Sequence, residues 1–147
     1  MRVSMSSNML SAHLSVKEYS CKCCHLLPPA LRGGEIPTCY EWFFEDFEDI
    51  RLELGKPIVI SSGYRCPAHN HAIGGELLSA HLWGLALDLD RNSVAEVEEL
   101  RLIVEMVHPE LRMEVVKDIG TWIHIDSIYA VFPPASDAWK KGIRVYK

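Results

Sequence analysis

The stretch from Gly84 to Asp90, GLALDLD, decides the fold because its apolar residues alternate with small or acidic ones. This period of two is typical of a β-strand with one face in the hydrophobic core. The leucines share one face of the strand, and the opposite face carries Ala86, Asp88 and Asp90. Gly84 and Ala86 leave room beside Asp88, so we expect the strand to present this carboxylate to a cleft.

Capping signals and periodicity predict the elements on both sides of this strand. Thr38 opens a capping box before apolar residues at helical spacing, and Gly55 supplies the stop signal of this core helix. Ser15 and Glu18 form another capping box, at the start of a short helix. The other predicted elements are a helix at 93–108 and strands at 57–61, 113–117 and 122–128. Their order predicts an α+β fold, a single domain with a small, mostly antiparallel sheet packed with helices.

Length and composition indicate one globular domain of ordinary size. The chain has 147 residues, of which 48% are hydrophobic and 24% charged. We expect residues 1–13 to be a flexible N-terminal tail and residues 14–147 to form the domain, as a monomer. The net charge of -5 argues against a nucleic-acid partner, because the chain has no excess of positive charge to neutralise phosphates. No apolar run approaches the roughly 20 residues of a membrane span, so we expect no membrane insertion.

Two histidines and Asp88 are candidate ligands of a metal ion. His81 precedes the GLALDLD strand, and His124 shares one face of a later strand with Trp122 and Asp126. Two imidazoles and one carboxylate suit zinc, which catalytic sites hold with three protein ligands and a water molecule. Zinc lowers the pKa of that water to about 7. The spacing alone also fits a His–Asp ion pair on a sheet.

Three segments in this order carry more specific motifs. Ser79–Asp88 (SAHLWGLALD) fits the pattern S-x-H-x-x-G-x-A-x-D. Ser62–Pro67 (SGYRCP) precedes it, and Trp122–Asp126 (WIHID) follows it. Together they resemble the zinc D-Ala-D-Ala carboxypeptidase family, which also contains L-alanyl-D-glutamate endopeptidases of peptidoglycan. The resemblance covers residues 15–130 approximately, most of the chain.

The resemblance implies a zinc peptidase that hydrolyses peptidoglycan stem peptides, with the metal in a cleft on the sheet. One Zn²⁺ per chain would be held by His81, Asp88 and His124. Arg65 matches an arginine that binds the substrate or polarises its carbonyl. Ser79 matches a serine beside the first ligand, in a substrate-binding role, although a turn cap explains this serine equally well.

The chain departs from the family pattern at the general base. Several members place an acidic residue three positions before the last histidine ligand, where this chain has Thr121. We therefore expect the base elsewhere, with Asp126 favoured over Glu114 because Asp126 shares a strand face with His124. Asp118, at the predicted turn, is the third choice. Without any base, the chain would be a non-catalytic zinc-binding module that binds cell-wall peptide or a protein partner.

Five cysteines are present, an odd number that does not suggest paired disulfides. We interpret them as reduced thiols. A second metal site is the alternative for Cys21, Cys23 and Cys24, with Cys39 to complete it. A cysteine-dependent hydrolase would need Cys66 beside a free histidine, and the sequence indicates no such base.

The location expected for this protein follows from its first twenty residues. They lack the apolar core of about 7–15 residues that a secretory signal contains. We therefore expect cytoplasmic synthesis without a signal peptide. The implied substrate lies in the cell wall, so the protein would act there after export or lysis. One domain without a wall-binding repeat is typical of a phage-related lytic enzyme.

Overall fold

A computed structural model of the chain describes residues 8–116, 120–130 and 143–146. It begins with two short antiparallel strands, β1 (Met9–Ser11) and β2 (Leu14–Ser15), followed by helix α1 (Val16–Tyr19). Ser15 caps α1 as predicted, since its hydroxyl accepts a hydrogen bond from the Glu18 amide at 3.1 Å. The Leu10 side chain is fully buried in the core. Residues 9–11, within the segment expected to be a tail, thus form a strand that pairs with β2.

The helices follow the predicted positions closely, with one difference at a cap. Helix α2 (Thr38–Leu54) ends at Gly55, which has the left-handed φ of 70° that a glycine stop signal implies. The predicted capping box of Thr38 was wrong, because the N-cap is Pro37 and no side chain caps this end. Helix α3 (Pro67–Ala72) and a 3₁₀ turn (Ala80–Trp83) were not among the predicted elements, and α4 (Val94–Val107) begins after its cap Ser93.

Five strands form the main sheet. In chain order they are β3 (Val59–Ser62), β4 (Ala86–Asp90), β5 (Arg112–Val116), β6 (Trp122–Asp126) and β7 (Ile143–Tyr146). In space the order is β3-β4-β6-β5-β7, and every pair is antiparallel except β5 with β7. The predicted α+β fold with a small, mostly antiparallel sheet is therefore confirmed. The predicted hairpin joins β5 and β6, although Asp118 lies outside the described residues.

The two faces of this sheet have different chemistry. One face packs leucine, isoleucine, methionine and valine side chains against the phenylalanines of α2 and the apolar residues of α4. The other face carries polar residues in register. Asp88 on β4 pairs with His124 on β6, and His124 in turn pairs with Glu114 on β5. The neighbouring row consists of Ala86, Asp126 and Arg112.

None of the helices within the described residues has the length and apolar character that crossing a bilayer requires.

Candidate metal centre

Three polar side chains from different elements meet at one point. His81 lies on the 3₁₀ turn, where the Ser79 hydroxyl accepts a hydrogen bond from the His81 amide at 3.2 Å. Asp88 and His124 are direct cross-strand partners in β4 and β6. The atoms His81 Nε2, Asp88 Oδ1 and His124 Nδ1 lie 3.0–3.1 Å from one another. All three side chains are buried, and together they can hold a metal ion.

The ring nitrogen of each histidine that points away from this centre forms a hydrogen bond. This bond determines which nitrogen carries the hydrogen. His81 Nδ1 lies 2.6 Å from the carbonyl oxygen of Gly63, which only accepts, so this nitrogen donates its hydrogen. His124 Nε2 lies 2.6 Å from Asp126 Oδ2 and donates in the same way. Each neutral ring therefore turns an unprotonated nitrogen toward Asp88 Oδ1. Three lone pairs then face one another, which is unfavourable unless a cation lies between them.

The spacing and the donor types fit zinc. Nitrogen and oxygen ligands lie at about 2.0–2.2 Å from zinc, which places tetrahedral ligand atoms about 3.3 Å from one another. The observed separations of 3.0–3.1 Å are close to this value. The contacts of both imidazoles with Gly63 and Asp126 are of the kind that hold ligating histidines in the correct tautomer. These residues therefore fit the metal that the sequence analysis expected.

Electrostatics around the three groups also favour a cation. Burial alone would lower the pKa of His124, but hydrogen bonds and charges of Asp126 and Asp88 outweigh it and raise this pKa to about 9. Burial would raise the pKa of Asp88, but the two adjacent imidazoles hold it well below its usual range. Burial lowers the pKa of His81. In the absence of a metal ion a proton on His124 lies among these groups, and a metal ion competes with that proton.

A pocket of about 190 Å³ adjoins the three groups. Its lining includes the two histidines and Asp88, and its other residues are Arg65, Gly74, Gly75, Glu76, Ser79, Arg112, Glu114 and Trp122. Trp122 therefore borders this pocket, whereas Trp83, which also flanks a ligand in sequence, is not among the lining residues. A ligand in this pocket would contact two arginines and one or more carboxylates beside the metal centre.

Arg65 lines this pocket and contacts the metal centre. Its Nη2 donates to Asp88 Oδ2 at 3.2 Å, while Nη1 and Nε donate to Asn70 and Ser62 at 3.3 and 3.1 Å. Asp88 thus offers one oxygen to the histidines and the other to Arg65. The guanidinium is thus held by three partners beside the metal centre, and it borders the pocket.

The two carboxylates considered for the general base differ in their surroundings. Asp126 is fully buried and does not line the pocket. Its Oδ2 accepts from Arg112 Nε at 2.7 Å and from His124, and its Oδ1 accepts from the Ile128 amide at 3.2 Å. Glu114 lies opposite His124 in register and lines the pocket, where its carboxylate lies 3.2 Å from Arg112 Nη1. The pairing of β5 with β6 thus brings Glu114 to the same row of the sheet as His124.

Two further residues of the sequence analysis have clear positions. Ser79 caps the turn that carries His81 and also lines the pocket, so both of its expected roles are compatible with its place. Thr121 is exposed and directly precedes β6, and its carbonyl accepts from the Arg91 amide at 2.6 Å.

The sequence analysis missed Arg112. Its guanidinium donates to Asp126 and contacts Glu114, so it connects the two candidate carboxylates. The alternation of Arg112, Met113 and Glu114 on a predicted strand places both charged residues on the face of the metal centre. This pattern was readable from the sequence, because Met113 alone of the three is apolar.

Comparison with known proteins covers these same residues. A family model for peptidase M15 matches residues 12–126, a range that contains every residue of the metal centre described above. No curated protein matches the chain. Because the matched range spans most of the chain and reaches the strand that carries His124, the chain belongs to the peptidase M15 family, which consists of zinc-dependent peptidases of the D-Ala-D-Ala carboxypeptidase type.

Proposed function

We propose that this chain is a zinc-dependent peptidase that hydrolyses peptidoglycan stem peptides. The observation that carries the proposal is the pocket in which His81, Asp88 and His124 converge, since it also holds Arg65 and Glu114. A metal centre with an adjacent carboxylate and an adjacent guanidinium contains the groups that peptide hydrolysis requires. Membership of the M15 family supports the same reaction class.

Zinc would be held by His81 Nε2, Asp88 Oδ1 and His124 Nδ1. When bound there, zinc supplies a Lewis acid that polarises a carbonyl group and makes water more acidic. The protein contributes the orientation of these ligands. The Gly63 carbonyl and the Asp126 carboxylate hold the two imidazoles through hydrogen bonds of 2.6 Å each.

Glu114 is the general base in this proposal, which reverses the preference of the sequence analysis for Asp126. Glu114 lines the pocket, whereas both oxygens of Asp126 already accept hydrogen bonds. Glu114 would take a proton from the attacking water and return it to the leaving amine, so that the carboxylate is regenerated. Asp126 would orient His124 without contacting the substrate.

The substrate contacts proposed for the pocket come from Arg65 and Ser79. Arg65 would donate hydrogen bonds to the scissile carbonyl oxygen as negative charge develops there. Ser79 accepts from the His81 amide, and its own hydroxyl hydrogen remains to donate to a peptide carbonyl of the substrate. Arg112 would keep Glu114 oriented through their contact of 3.2 Å.

Incubation of the zinc-loaded protein with defined stem peptides, followed by mass spectrometry of the products, tests the proposal. Loss of one terminal D-alanine identifies a carboxypeptidase, and separation of L-alanine from D-glutamate identifies an endopeptidase. The His124→Ala variant is the negative control. If the zinc-loaded parent cleaves neither bond and still binds the peptides, the non-catalytic binding module is the correct interpretation.

A further inference from the structure

Three of the five cysteines lie together, outside the metal centre described above. The sulfur atoms of Cys21, Cys24 and Cys66 all lie within 4.8 Å of one another. All three are free thiols, and they come from two distant segments, the turn after α1 and the residue that caps α3. We call these three residues the thiol cluster.

Backbone amides around the thiol cluster point at its sulfur atoms. The Cys66 amide donates to Cys21 Sγ at 3.4 Å. The His69 amide donates to Cys66 Sγ at 3.4 Å. Amide donors of this kind favour the thiolate, the form of cysteine that binds metals.

A tight turn forms this arrangement. The His25 amide donates to the Cys21 carbonyl at 2.8 Å, and the Cys21 amide donates to the Leu26 carbonyl at 3.0 Å. His25 has a left-handed φ of 60°, which no other described residue except glycine shows. This conformation is unfavourable for a residue other than glycine, so the surrounding contacts hold the turn in place.

We propose that the thiol cluster of Cys21, Cys24 and Cys66 holds a second zinc ion in a structural site. Cys21 and Cys24 have the C-x-x-C spacing of such sites, and three thiolates with one further ligand complete the tetrahedron. Zinc–sulfur distances of about 2.3 Å place the sulfur atoms about 3.8 Å from one another, within the observed limit of 4.8 Å. Binding would release the remaining thiol protons to solvent.

The position of the thiol cluster indicates what this zinc would do. Cys66 directly follows Arg65, whose side chain reaches Asp88 in the metal centre. The same loop already joins the N-terminal segment, since the Tyr64 amide donates to the Tyr19 carbonyl at 2.7 Å and a Cβ on Gly63 would overlap the Tyr19 backbone. A zinc ion bound by the thiol cluster would link these two segments at Cys66, directly after Arg65. It would thereby restrain the backbone of Arg65.

Cys39 serves as an internal control, because it lies in a different pocket with Trp42, Phe43 and Tyr129. The sequence analysis considered it as a fourth ligand of a second metal. The structure instead brings Cys66 next to Cys21 and Cys24, although about forty residues separate the two segments in sequence.

Metal counting by mass spectrometry tests the proposal without any activity assay. The parent, purified under reducing conditions without chelator, is expected to contain two zinc ions per chain. The double variant Cys21→Ser with Cys24→Ser should contain one, and His81→Ala with His124→Ala should also contain one. Cys39→Ser should keep two. The two sites are counted separately, so failure of the peptidase proposal leaves this result unchanged.

Cobalt substitution of the unaltered chain covers the case in which the serine variants do not fold. Cobalt bound by the thiol cluster produces thiolate-to-cobalt charge-transfer absorption in the near ultraviolet, whereas cobalt bound by histidine and aspartate does not. We expect this absorption in the parent and in Cys39→Ser. One zinc per chain together with no such absorption would overturn the proposal. A disulfide among these cysteines in the reduced preparation would overturn it as well.

Discussion

Glu114 lies directly opposite His124 in the antiparallel pairing of β5 and β6. The same row continues through Asp88 on β4 to Ser62 on β3, so four polar residues cross the sheet in register. Because strands of one sheet hold their positions better than loops do, the proposed base and two proposed ligands have fixed relative positions. Segments outside the sheet contribute His81 and Arg65 to this centre, and hydrogen bonds restrain both.

Replacement of Glu114 by glutamine should abolish most of the peptidase activity. The amide keeps the shape of the side chain but cannot take a proton from water, and general acid–base catalysis contributes about 10²–10⁴-fold in rate. We expect kcat to fall by this factor while zinc content stays at the parent level. Glu99→Gln, which changes an exposed glutamate on α4, is the matched control. Unchanged cleavage by zinc-loaded Glu114→Gln would remove Glu114 from the mechanism.

Replacement of Asp126 by asparagine should weaken metal binding instead. Asp126 accepts the hydrogen of His124 Nε2, and loss of such a partner costs about 10–100-fold in metal affinity. Excess zinc should therefore restore much of the activity of Asp126→Asn, although Arg112 also loses a charged partner. Titration with a zinc indicator and cleavage assays over a range of zinc concentrations measure this. Full zinc retention with lost activity would identify Asp126 as the base.

Replacement of Arg65 by lysine should lower turnover and leave a bound metal in place. Lysine keeps the positive charge but cannot reproduce the three directed contacts with Ser62, Asn70 and Asp88. We expect kcat/KM to fall about 10²–10³-fold, the usual effect of removing one donor to a developing oxyanion. Arg101→Lys, on the surface of α4, should behave like the parent. Zinc loss in Arg65→Lys would indicate that Arg65 mainly supports Asp88.

The proposed metal ligands could be named from the sequence because strand periodicity and local motifs both point to them. Asp88 and His124 each lie on an alternating strand, and an alternating strand has a defined polar face. The choice between Asp126 and Glu114 could not be made in the same way. It depends on which oxygens are already engaged, and Arg112 reaches Asp126 from the neighbouring strand β5. The sequence could not show the whole thiol cluster either, because Cys66 comes close to the other cysteines only in the folded structure.

His108 should make the stability of the domain depend on pH. It ends α4 beside Asp49 and Glu110, at 2.8 and 2.6 Å, and these acids raise its pKa although burial opposes them. Because the pKa of His108 is higher in the folded state than in the unfolded state, protonated His108 stabilises the fold. This contribution is fully present below the unfolded pKa of about 6.5 and is lost as pH rises through the folded pKa. The cation also faces the negative end of the helix dipole.

Urea denaturation from about pH 6 to pH 9 measures this effect, with His108→Asn for comparison. The difference in free energy of unfolding between parent and variant should be largest at the acidic end and should decrease as pH rises. Subtraction of the variant removes the contribution of the metal centre, which both proteins share. A difference that is constant across this range would contradict the assigned role of His108.

Replacement of Gly84 by alanine should destabilise the domain more than the same change at Gly55. Both glycines end a helical segment with left-handed φ, at 77° and 70°. Alanine therefore meets a similar backbone penalty at both positions, roughly 1–2 kcal/mol. The surroundings differ, because a Cβ at Gly55 would meet no atom within 4 Å, whereas at Gly84 it would overlap Tyr19 Oη and lie 2.8 Å from Pro28 Cγ.

Tyr19 cannot move away easily, since it is fully buried and its hydroxyl donates to the Gly84 carbonyl at 2.6 Å. We expect Gly84→Ala to lose about 1–3 kcal/mol more than Gly55→Ala, the usual cost of overpacking a core. Urea denaturation of both variants at equal zinc saturation gives the two values. Gly84→Ala should also bind zinc more weakly, because Gly84 ends the turn that positions His81. Equal stability of the two variants would show that the contact between Tyr19 and Gly84 adjusts without cost.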